Sequence, residues 1–359
     1  MIKTIIKREV RSYLKNPMYY IGAILVFIGV YSSVLPYLQI HYFEKPSEIR
    51  TLEKHSELAD ADVSVGYIPT TKEEQYEIGL EGIYADLVEF FQMSPEEANQ
   101  LVTNLMNSKM TITETAQYMA ENYSYNGAQY HFHNATIKQA TVEEANNYIK
   151  ESLSKKAYTD YFSRKYADYM GVYIIFYAIL MFAFLYMKDS KKDIYELLHT
   201  KPIKPWQYIT GKIFGGMTAM LFVVGIITAI FNILIMRQGI AAGFPVSFWD
   251  IWFGVILYLI PNLFMVICVY TCIAVLFKNP LPGVPALVLY MIYSNMGTRM
   301  EDGSFGYKIR KLAILVRFPD LFFETITPGQ AVINQLSLAT IALMITIISI
   351  LIWKRRRVY

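Results

Sequence analysis

The segment 213-IFGGMTAMLFVVGIITAIFNILIM-236 decides the class of fold. It contains 24 residues and no Asp, Glu, Lys or Arg. An α-helix rises about 1.5 Å per residue, so about 20 apolar residues cross the roughly 30 Å hydrocarbon core of a bilayer. The segment therefore predicts a membrane-spanning helix.

Five further windows of similar length carry no charged residue: 18–38, 169–187, 251–277, 279–298 and 333–353. One ionisable group at mid-bilayer costs about 2.5–3.5 kcal/mol, so six such windows indicate an integral membrane protein. A large soluble core is disfavoured, because its helices would be shorter and would keep a polar face. The 359 residues are 54% hydrophobic and 18% charged, and two cysteines exclude a disulfide scaffold and a cysteine-based zinc cluster.

We therefore predict an all-α integral membrane protein with six transmembrane helices. The predicted segments are an amphipathic interfacial helix at 1–17, span 1 at 18–38, a mainly helical extracellular domain at 39–166, span 2 at 167–187, a cytoplasmic loop at 188–207, span 3 at 208–236, span 4 at 250–277, span 5 at 283–298, an outer loop at 299–332, span 6 at 333–353 and a basic tail at 354–359. Span 5 has the weakest signal, because Pro280, Pro282 and Pro285 favour a late start and a short helix.

The distribution of charge predicts the orientation of the spans. Segments 1–17, 188–212 and 354–359 together with Lys278 contain 16 basic and 4 acidic residues. Segment 39–166 contains 11 basic and 20 acidic residues. Short loops with a basic excess stay in the cytoplasm, so we expect both termini inside and segment 39–166 outside.

The first residues predict a helix that lies in the plane of the lipid headgroups. Apolar residues fall on one side of this helix, and a basic face would meet anionic lipid. The basic residues are Lys3, Lys7, Arg8, Arg11 and Lys15. A cleaved signal peptide is the alternative, but the apolar region that follows is too long and lacks a small-residue cleavage site.

Segment 39–166 carries its own helix-start signals. Ser94-Pro95-Glu96-Glu97 predicts a capped helix, and Thr111 with Glu114 and Thr141 with Glu144 predict two capping boxes. A short strand is expected at 129–137, where His131 and His133 would share one face. That pair would suit a metal, but no further ligand is evident, so ordinary surface histidines are the preferred interpretation.

The loop after span 2 contains a short helix pattern at 193–199 that ends before Pro202. Ile194, Leu197 and Leu198 would form a small apolar face ringed by charge. So short a helix is marginal alone in water. Two interpretations stay open from the residues alone: the face docks into a groove on a partner, or the helix rests on the membrane.

The run Glu196-Leu-Leu-His-Thr-Lys-Pro202, followed by Tyr208-Ile-Thr-Gly-Lys212 at the start of a span, resembles the type-2 ABC exporter permease family. In that family an acidic residue and paired leucines precede a proline, and a Gly-Lys pair begins the third membrane helix. The basic amphipathic helix also matches, as does a large extracellular domain between the first two spans in one branch of the family. Lys191-Lys192-Asp193 stands where relatives often carry an Arg-Gly element.

The resemblance implies a coupling helix that sits in a cleft of a separate ATPase subunit. Its residues would be Asp193, Ile194, Tyr195, Glu196, Leu197, Leu198 and His199, and Gly211 and Lys212 would form the motif that begins the third span. Two ATPase copies would bind ATP and Mg, and an identical or homologous second permease would complete the transporter. The sequence has no Gly-x-x-x-x-Gly-Lys-[Ser/Thr] phosphate loop, so we expect no cofactor on this chain and no enzymatic activity.

The stretch 299–332 is too apolar for a free loop and is expected to dip into the outer leaflet. The resemblance implies short re-entrant helices there. Four of its basic residues are Lys308, Arg310, Lys311 and Arg317. These residues would either pair with Glu301, Asp302 and Asp320, which we prefer, or meet phosphates of lipid or substrate.

These features predict the permease subunit of an ABC exporter in a bacterial plasma membrane. It would move an amphipathic peptide, lipid or drug-like compound outward, with the lipid bilayer but no nucleic acid among its partners. The spans are expected to lack buried acids, which argues against an ion-coupled carrier. The alternative is a membrane-embedded sensor or signalling subunit whose extracellular domain binds a ligand.

Overall fold

The structure, a computed structural model, is mostly helical and forms two compact units. It describes the chain except residues 53–60, 109, 188, 191–193, 195–197, 199–202, 297, 300–304 and 356–359. The spanning unit comprises Met1–Gln39, Leu153–Met300 and Ser304–Tyr359, and the inserted unit is built from Ile40–Ser152.

Helices occur along the whole described chain. In chain order they are α1 (Ile2–Leu14), α2 (Pro17–Val34), α3 (Lys72–Glu89), α4 (Pro95–Asn107), α5 (Ile112–Tyr123), α6 (Ala128–Asn134), α7 (Val142–Lys155), α8 (Tyr158–Met187), α9 (Pro205–Ala241), α10 (Asp250–Gly254), α11 (Ile260–Phe277), α12 (Gly283–Asn295) and α13 (Ala331–Arg355). The strands are β1 (Tyr67–Pro69), β2 (Ile137–Gln139), β3 (Thr298–Arg299) and β4 (Phe305–Gly306). β1 pairs antiparallel with β2, and β3 pairs antiparallel with β4.

Five described segments are long and apolar enough to cross a membrane. They are Pro17–Gln39, Tyr158–Met187, Pro205–Ala241, Asp250–Phe277 and Ala331–Arg355. The expected fifth span at 283–298 corresponds to α12, whose 13 residues rise only about 20 Å. The six-span count is therefore not confirmed, because α12 alone is shorter than the hydrocarbon core.

Helix α8 lies at the centre of the spanning unit, where α2, α9, α10, α11 and α12 contact it. Helix α11 runs along α13. A π-helical segment, Val255–Leu259, joins α10 to α11. Pro261 lies two residues after this segment and has no amide hydrogen to donate to the preceding turn, which accounts for the wider helix at this point.

Helix α12 starts part of the way along α11. The Tyr270 hydroxyl donates to the Pro280 carbonyl at 2.8 Å, and a Cβ on Gly283 would come within 2.9 Å of the Tyr270 ring. Tyr270 lies seven residues before the end of α11, a rise of about 10 Å. The chain after α11 therefore folds back along that helix before α12 begins.

The stretch after α12 is buried but irregular. The residues at 313–316 are all buried, and Asn334 of α13 donates to the Ala313 carbonyl at 2.8 Å. The Ile314 amide donates to Ser294 of α12 at 3.0 Å. Side chains of α12 and α13 thus form hydrogen bonds with backbone groups of residues 313 and 314. Non-helical chain at membrane depth requires such partners. Between residues 307 and 330, the one helical element is the 3₁₀ turn Phe322–Glu324. An irregular segment, residues 307–330, therefore stands where re-entrant helices were expected.

The inserted unit packs its helices around one apolar cluster. The cluster comprises Leu80, Ile83, Leu87, Ala98, Leu101, Leu105, Met119, Tyr125, Ala128 and Phe132. Thr111 and Glu114 form the expected capping box, and Ser94 caps α4. The strand expected at 129–137 is wrong: α6 occupies most of it, because Phe132 reaches the cluster from a helix beside Gly79.

An ion cluster in the inserted unit predicts acid-dependent stability. Lys138 Nζ lies 2.8 Å from Glu144 Oε1 and 2.7 Å from Glu74 Oε1. The hydrogen bond from Lys138, followed by those from Thr141, lowers the pKa of Glu144 from 4.5 to about 2. Ionised Glu144 therefore stabilises the fold above about pH 4.5, and this contribution is lost as the pH falls toward 2.

We expect Glu144→Gln to flatten the pH dependence of the unfolding temperature between pH 4.5 and 2, as followed by circular dichroism of the detergent-solubilised chain. The matched control is Glu143→Gln, which alters the adjacent exposed side chain. Equal slopes for the wild type and Glu144→Gln would contradict this assignment.

Candidate functional site

A buried ion cluster lies where α1, the end of α8 and the start of α9 meet. Lys212 of α9 is 3% exposed, and its Nζ lies 3.1 Å from Glu9 Oε1 and 2.5 Å from Asp189 Oδ2. Both carboxylates are also buried. Charges are buried at a tolerable cost only when they are paired and hydrogen-bonded, so this geometry couples the three residues tightly.

The ammonium group of Lys212 is fully satisfied. Its third partner is the Leu185 carbonyl of α8 at 2.9 Å, so three donors meet three acceptors. The Tyr208 hydroxyl donates to Asp189 Oδ2 at 2.7 Å. We call Glu9, Asp189 and Lys212 the ion triad; with two carboxylates and one ammonium, it carries one excess negative charge.

Aromatic rings enclose the ion triad. The rings of Tyr186 and Tyr208 lie 5.5 Å and 5.9 Å from Lys212 Nζ, within the range of cation–π attraction. Tyr208 also stacks on Trp353 of α13 at 4.2 Å, and Tyr186 donates to Thr271 of α11 at 2.8 Å. Five helices of the spanning unit therefore converge on this one polar cluster.

Glycines on α9 allow α1 to approach. A Cβ on Gly211 would lie 2.8 Å from Ile5, and one on Gly215 would lie 2.6 Å from the Glu9 side chain. The Gly211-Lys212 pair thus combines two functions: the glycine leaves room for α1, and the lysine binds its carboxylate. Helix α1 packs along α9 as well as being amphipathic.

In the structure all five predicted basic residues of α1 and its C-terminal cap are exposed. These residues are Lys3, Lys7, Arg8, Arg11 and Lys15. The inward face buries Tyr13 and also Glu9, which the sequence analysis missed. The sequence does contain a sign that Glu9 is buried. Glu9 is the only acid of the helix, and it lies four residues from both Ile5 and Tyr13 on the apolar side.

The predicted coupling helix can be compared with the structure at two positions. Ile194 and Leu198 are helical, and Leu198 is buried. Asp193, Tyr195, Glu196, Leu197 and His199 lie outside the described residues. Asp189, at the start of the same loop, was also missed by the sequence analysis, although it now proves to bind Lys212.

A second charged cluster lies near the other end of α8. Buried Asp168 pairs with Arg317, and its second oxygen accepts from the Phe318 amide at 2.7 Å. Lys165 donates to the Phe318 carbonyl at 2.9 Å. The expectation that the spans lack buried acids is therefore wrong. The partner of Arg317 also differs from the preferred acids of its own stretch. Arg317 binds Asp168 of α8, because the irregular segment packs against that helix.

Arg310 is another of the predicted basic residues of the irregular segment. The guanidinium of Arg310 lies 5.2 Å from the Tyr293 ring, and its Nε donates to the Met296 carbonyl at 3.4 Å. Of the acids expected to pair with this segment, Glu301 and Asp302 lie outside the described residues. Asp320 contributes its backbone carbonyl to Lys165.

The two predicted histidines have different surroundings in the inserted unit. His131 Nε2 lies 2.8 Å from Asp86 Oδ2 and 2.9 Å from the Tyr125 hydroxyl, whereas His133 is exposed. Burial opposes ionisation of Asp86, but the hydrogen bonds from Tyr125 and His131 hold its pKa below the usual range. On a helix these two positions face different directions, so the expected shared face does not exist.

The apolar helices with paired charges near their ends define a multi-span membrane protein. Comparison with known families adds its class: the sequence model described as "ABC-2 family transporter protein" matches residues 42–353. The chain therefore belongs to the ABC-2 transporter family. No curated protein and no solved structure matches it.

Family membership confirms the resemblance drawn from the loop motif. The chain is a permease of an ABC transporter, that is, a membrane subunit for transport rather than an ATPase. The family also implies a partnership with an ABC ATPase subunit.

Removing the cation of the ion triad should destabilise the fold strongly. We expect Lys212→Met to cost about 3–5 kcal/mol, because it leaves two buried carboxylates without their counter-ion. Thermal unfolding of the detergent-solubilised chain measures this loss. The control is Lys204→Met on the exposed approach to α9, for which a change within about 0.5 kcal/mol is expected.

Glu9→Gln should cost less than Lys212→Met, because it leaves a one-to-one ion pair between Lys212 and Asp189. Equal destabilisation by the two variants would contradict the assignment of one excess negative charge to the ion triad.

Proposed function

We propose that this permease is the membrane subunit of an exporter that moves an amphipathic compound outward, driven by a separate ATPase. The ion triad carries the proposal. It joins the loop that would contact the ATPase to three helices of the spanning unit, which is the connection that a mechanically driven permease needs.

The geometry of the loop ends supports a coupling role. The loop leaves α8 at Met187 and returns at the start of α9, and the two ends are tied together by Asp189. That carboxylate accepts from Tyr208 and binds Lys212. A force applied to the loop by an ATPase would therefore act on both ends at once, and through Glu9 it would also act on α1.

Helix α8 offers a path for this movement across the membrane. Its 30 residues rise about 45 Å, and Leu185 near one end accepts from Lys212. Near the other end, Asp168 and Lys165 bind the irregular segment at Arg317 and Phe318. We infer that tilting of α8 would displace this segment at the outer mouth and so open or close a route for the substrate.

We propose that α12 provides the sixth crossing despite its length. The return of the chain along α11 covers about 10 Å before α12 begins, and α12 rises about 20 Å more. Together they approach the thickness of the hydrocarbon core. Six crossings agree with cytoplasmic termini and an extracellular inserted unit, the orientation that the basic excess of the short segments favours.

The remaining partners follow from this assignment. Two ATPase copies would each bind ATP and Mg, and a second permease, identical or homologous, would complete the transporter in a bacterial plasma membrane. The apolar spans suit an amphipathic peptide, lipid or drug-like substrate. The sensor alternative is not favoured, because the family is one of transport subunits.

Coupling can be tested by co-purification with candidate ABC ATPases and by ATP hydrolysis of the complex. We expect Glu196→Ala with Leu197→Ala to abolish association, because it removes the proposed docking face. Asp189→Asn should retain association but lower stimulated hydrolysis several-fold, since it weakens the link from the loop to α9. Glu143→Gln in the inserted unit is the control.

Two outcomes would contradict this mechanism. Unchanged association of the double variant would exclude the loop as the docking site. Full stimulated hydrolysis with Asp189→Asn would exclude the ion triad as the mechanical link.

Orientation can be tested by labelling single cysteines in intact cells with a membrane-impermeant thiol reagent. In a background where Cys268 and Cys272 are replaced by Ser, we expect Glu143→Cys to react from outside and Ser190→Cys to react only after permeabilisation. Outside reactivity at position 190 would invert the proposed topology.

A further inference from the structure

A cavity of about 670 Å³ lies between the second half of α1 and the end of α8. Its basic wall is formed by Arg8, Arg11 and Lys15, and its apolar wall by Phe184, Leu185 and Met187. The volume is within the range of pockets that hold small molecules. This cavity therefore combines a cationic wall with an exposed apolar surface.

The three basic residues of the cavity wall have no acidic partner in the part of the chain that the structure describes. Arg8, Arg11 and Lys15 are exposed, and no carboxylate of the described chain forms an ion pair with them. Glu9 also lines the cavity, and Lys212 binds its carboxylate at 3.1 Å. The single excess negative charge of the ion triad is smaller than the charge of the three basic residues, so the cavity stays net positive. The cavity therefore favours an anionic ligand, and several cations can share one phosphate group.

The apolar wall requires that this ligand also has an apolar part. Phe184 and Met187 are exposed large hydrophobic side chains on the surface of α8, next to the basic wall. Free phosphate or a nucleotide would leave this surface uncovered. A lipid places its phosphate against the cations and its acyl chains along α8, which satisfies both walls.

The position of the cavity agrees with the depth of lipid headgroups. Asn16 and Pro17 line it at the turn between α1 and α2, where the first spanning segment begins. The second spanning segment ends at Met187 on the other wall. Because one spanning segment begins and another ends at the cavity, the cavity lies at the edge of the hydrocarbon core, where headgroups lie.

We propose that this cavity is a binding site for one anionic phospholipid, with the headgroup phosphate held by Arg8, Arg11 and Lys15. Binding does not depend on the proposed transport function. The bound lipid would bridge α1 and α8 beside the ion triad, since Glu9 lines the cavity and Leu185 belongs to both sites.

Native mass spectrometry of the detergent-solubilised full chain can test the site with phosphatidylglycerol and phosphatidylcholine of identical acyl chains. We expect phosphatidylglycerol to bind at least tenfold more tightly. Arg11→Gln with Lys15→Gln should weaken its binding by about 25-fold, because each basic residue near an anionic lipid contributes roughly a factor of five.

The matched control is Lys3→Gln with Lys7→Gln. It removes the same charge from exposed positions of the same helix but outside the cavity, so affinity should stay within about twofold. If the first pair of substitutions prevents folding, Arg8→Gln alone should give a loss of about fivefold.

Three results would overturn the proposal. Equal binding of the two lipids would show that the cavity does not recognise an anion. Equal losses in the two double variants would assign the effect to the general charge of α1. Displacement of phosphatidylglycerol by an equal concentration of glycerol phosphate would show that a free phosphate compound is the ligand.

Discussion

The ammonium group of Lys212 holds together the end of the spanning unit where its helices converge. It has three donors, and a carboxylate of α1, a carboxylate after α8 and a backbone carbonyl of α8 accept them. A buried charge without partners costs several kcal/mol, so any arrangement of these helices must keep the group paired. Gly211 and Gly215 leave room for α1, and the rings of Tyr186 and Tyr208 lie beside the ammonium group.

The same constraint applies near the opposite end of α8. Asp168 is buried and must be paired, and it finds Arg317 and the Phe318 amide in the irregular segment. One helix thus carries a polar anchor near each end, with apolar packing between them. Apolar contacts have no fixed direction, so helices that meet through them can shift against each other. The charged clusters need definite partners, so the groups that form them must move together. This division is the physical arrangement on which the proposed coupling rests.

The sequence predicted what depends on local pattern. The five long spans, the amphipathic α1 and the capping boxes follow from hydrophobic period, length and side-chain reach within a few residues. The prediction was wrong at 129–137, where a short strand was expected but packing of Phe132 against Gly79 favours a helix. Span 5 was expected to be short, and the structure adds that the chain folds back on α11 before it.

The sequence by itself determined the class of protein. Charge-free stretches of about 20 residues match the thickness of a bilayer, and the loop motif resembles one family. Tertiary structure alone decided that Glu9, Asp189 and Lys212 meet. Burial of apolar surface has no direction and can be read from composition, whereas an ion pair needs a definite approach of two groups. That approach is set by how α1, α8 and α9 pack, and no spacing along the chain between residues 9, 189 and 212 specifies it.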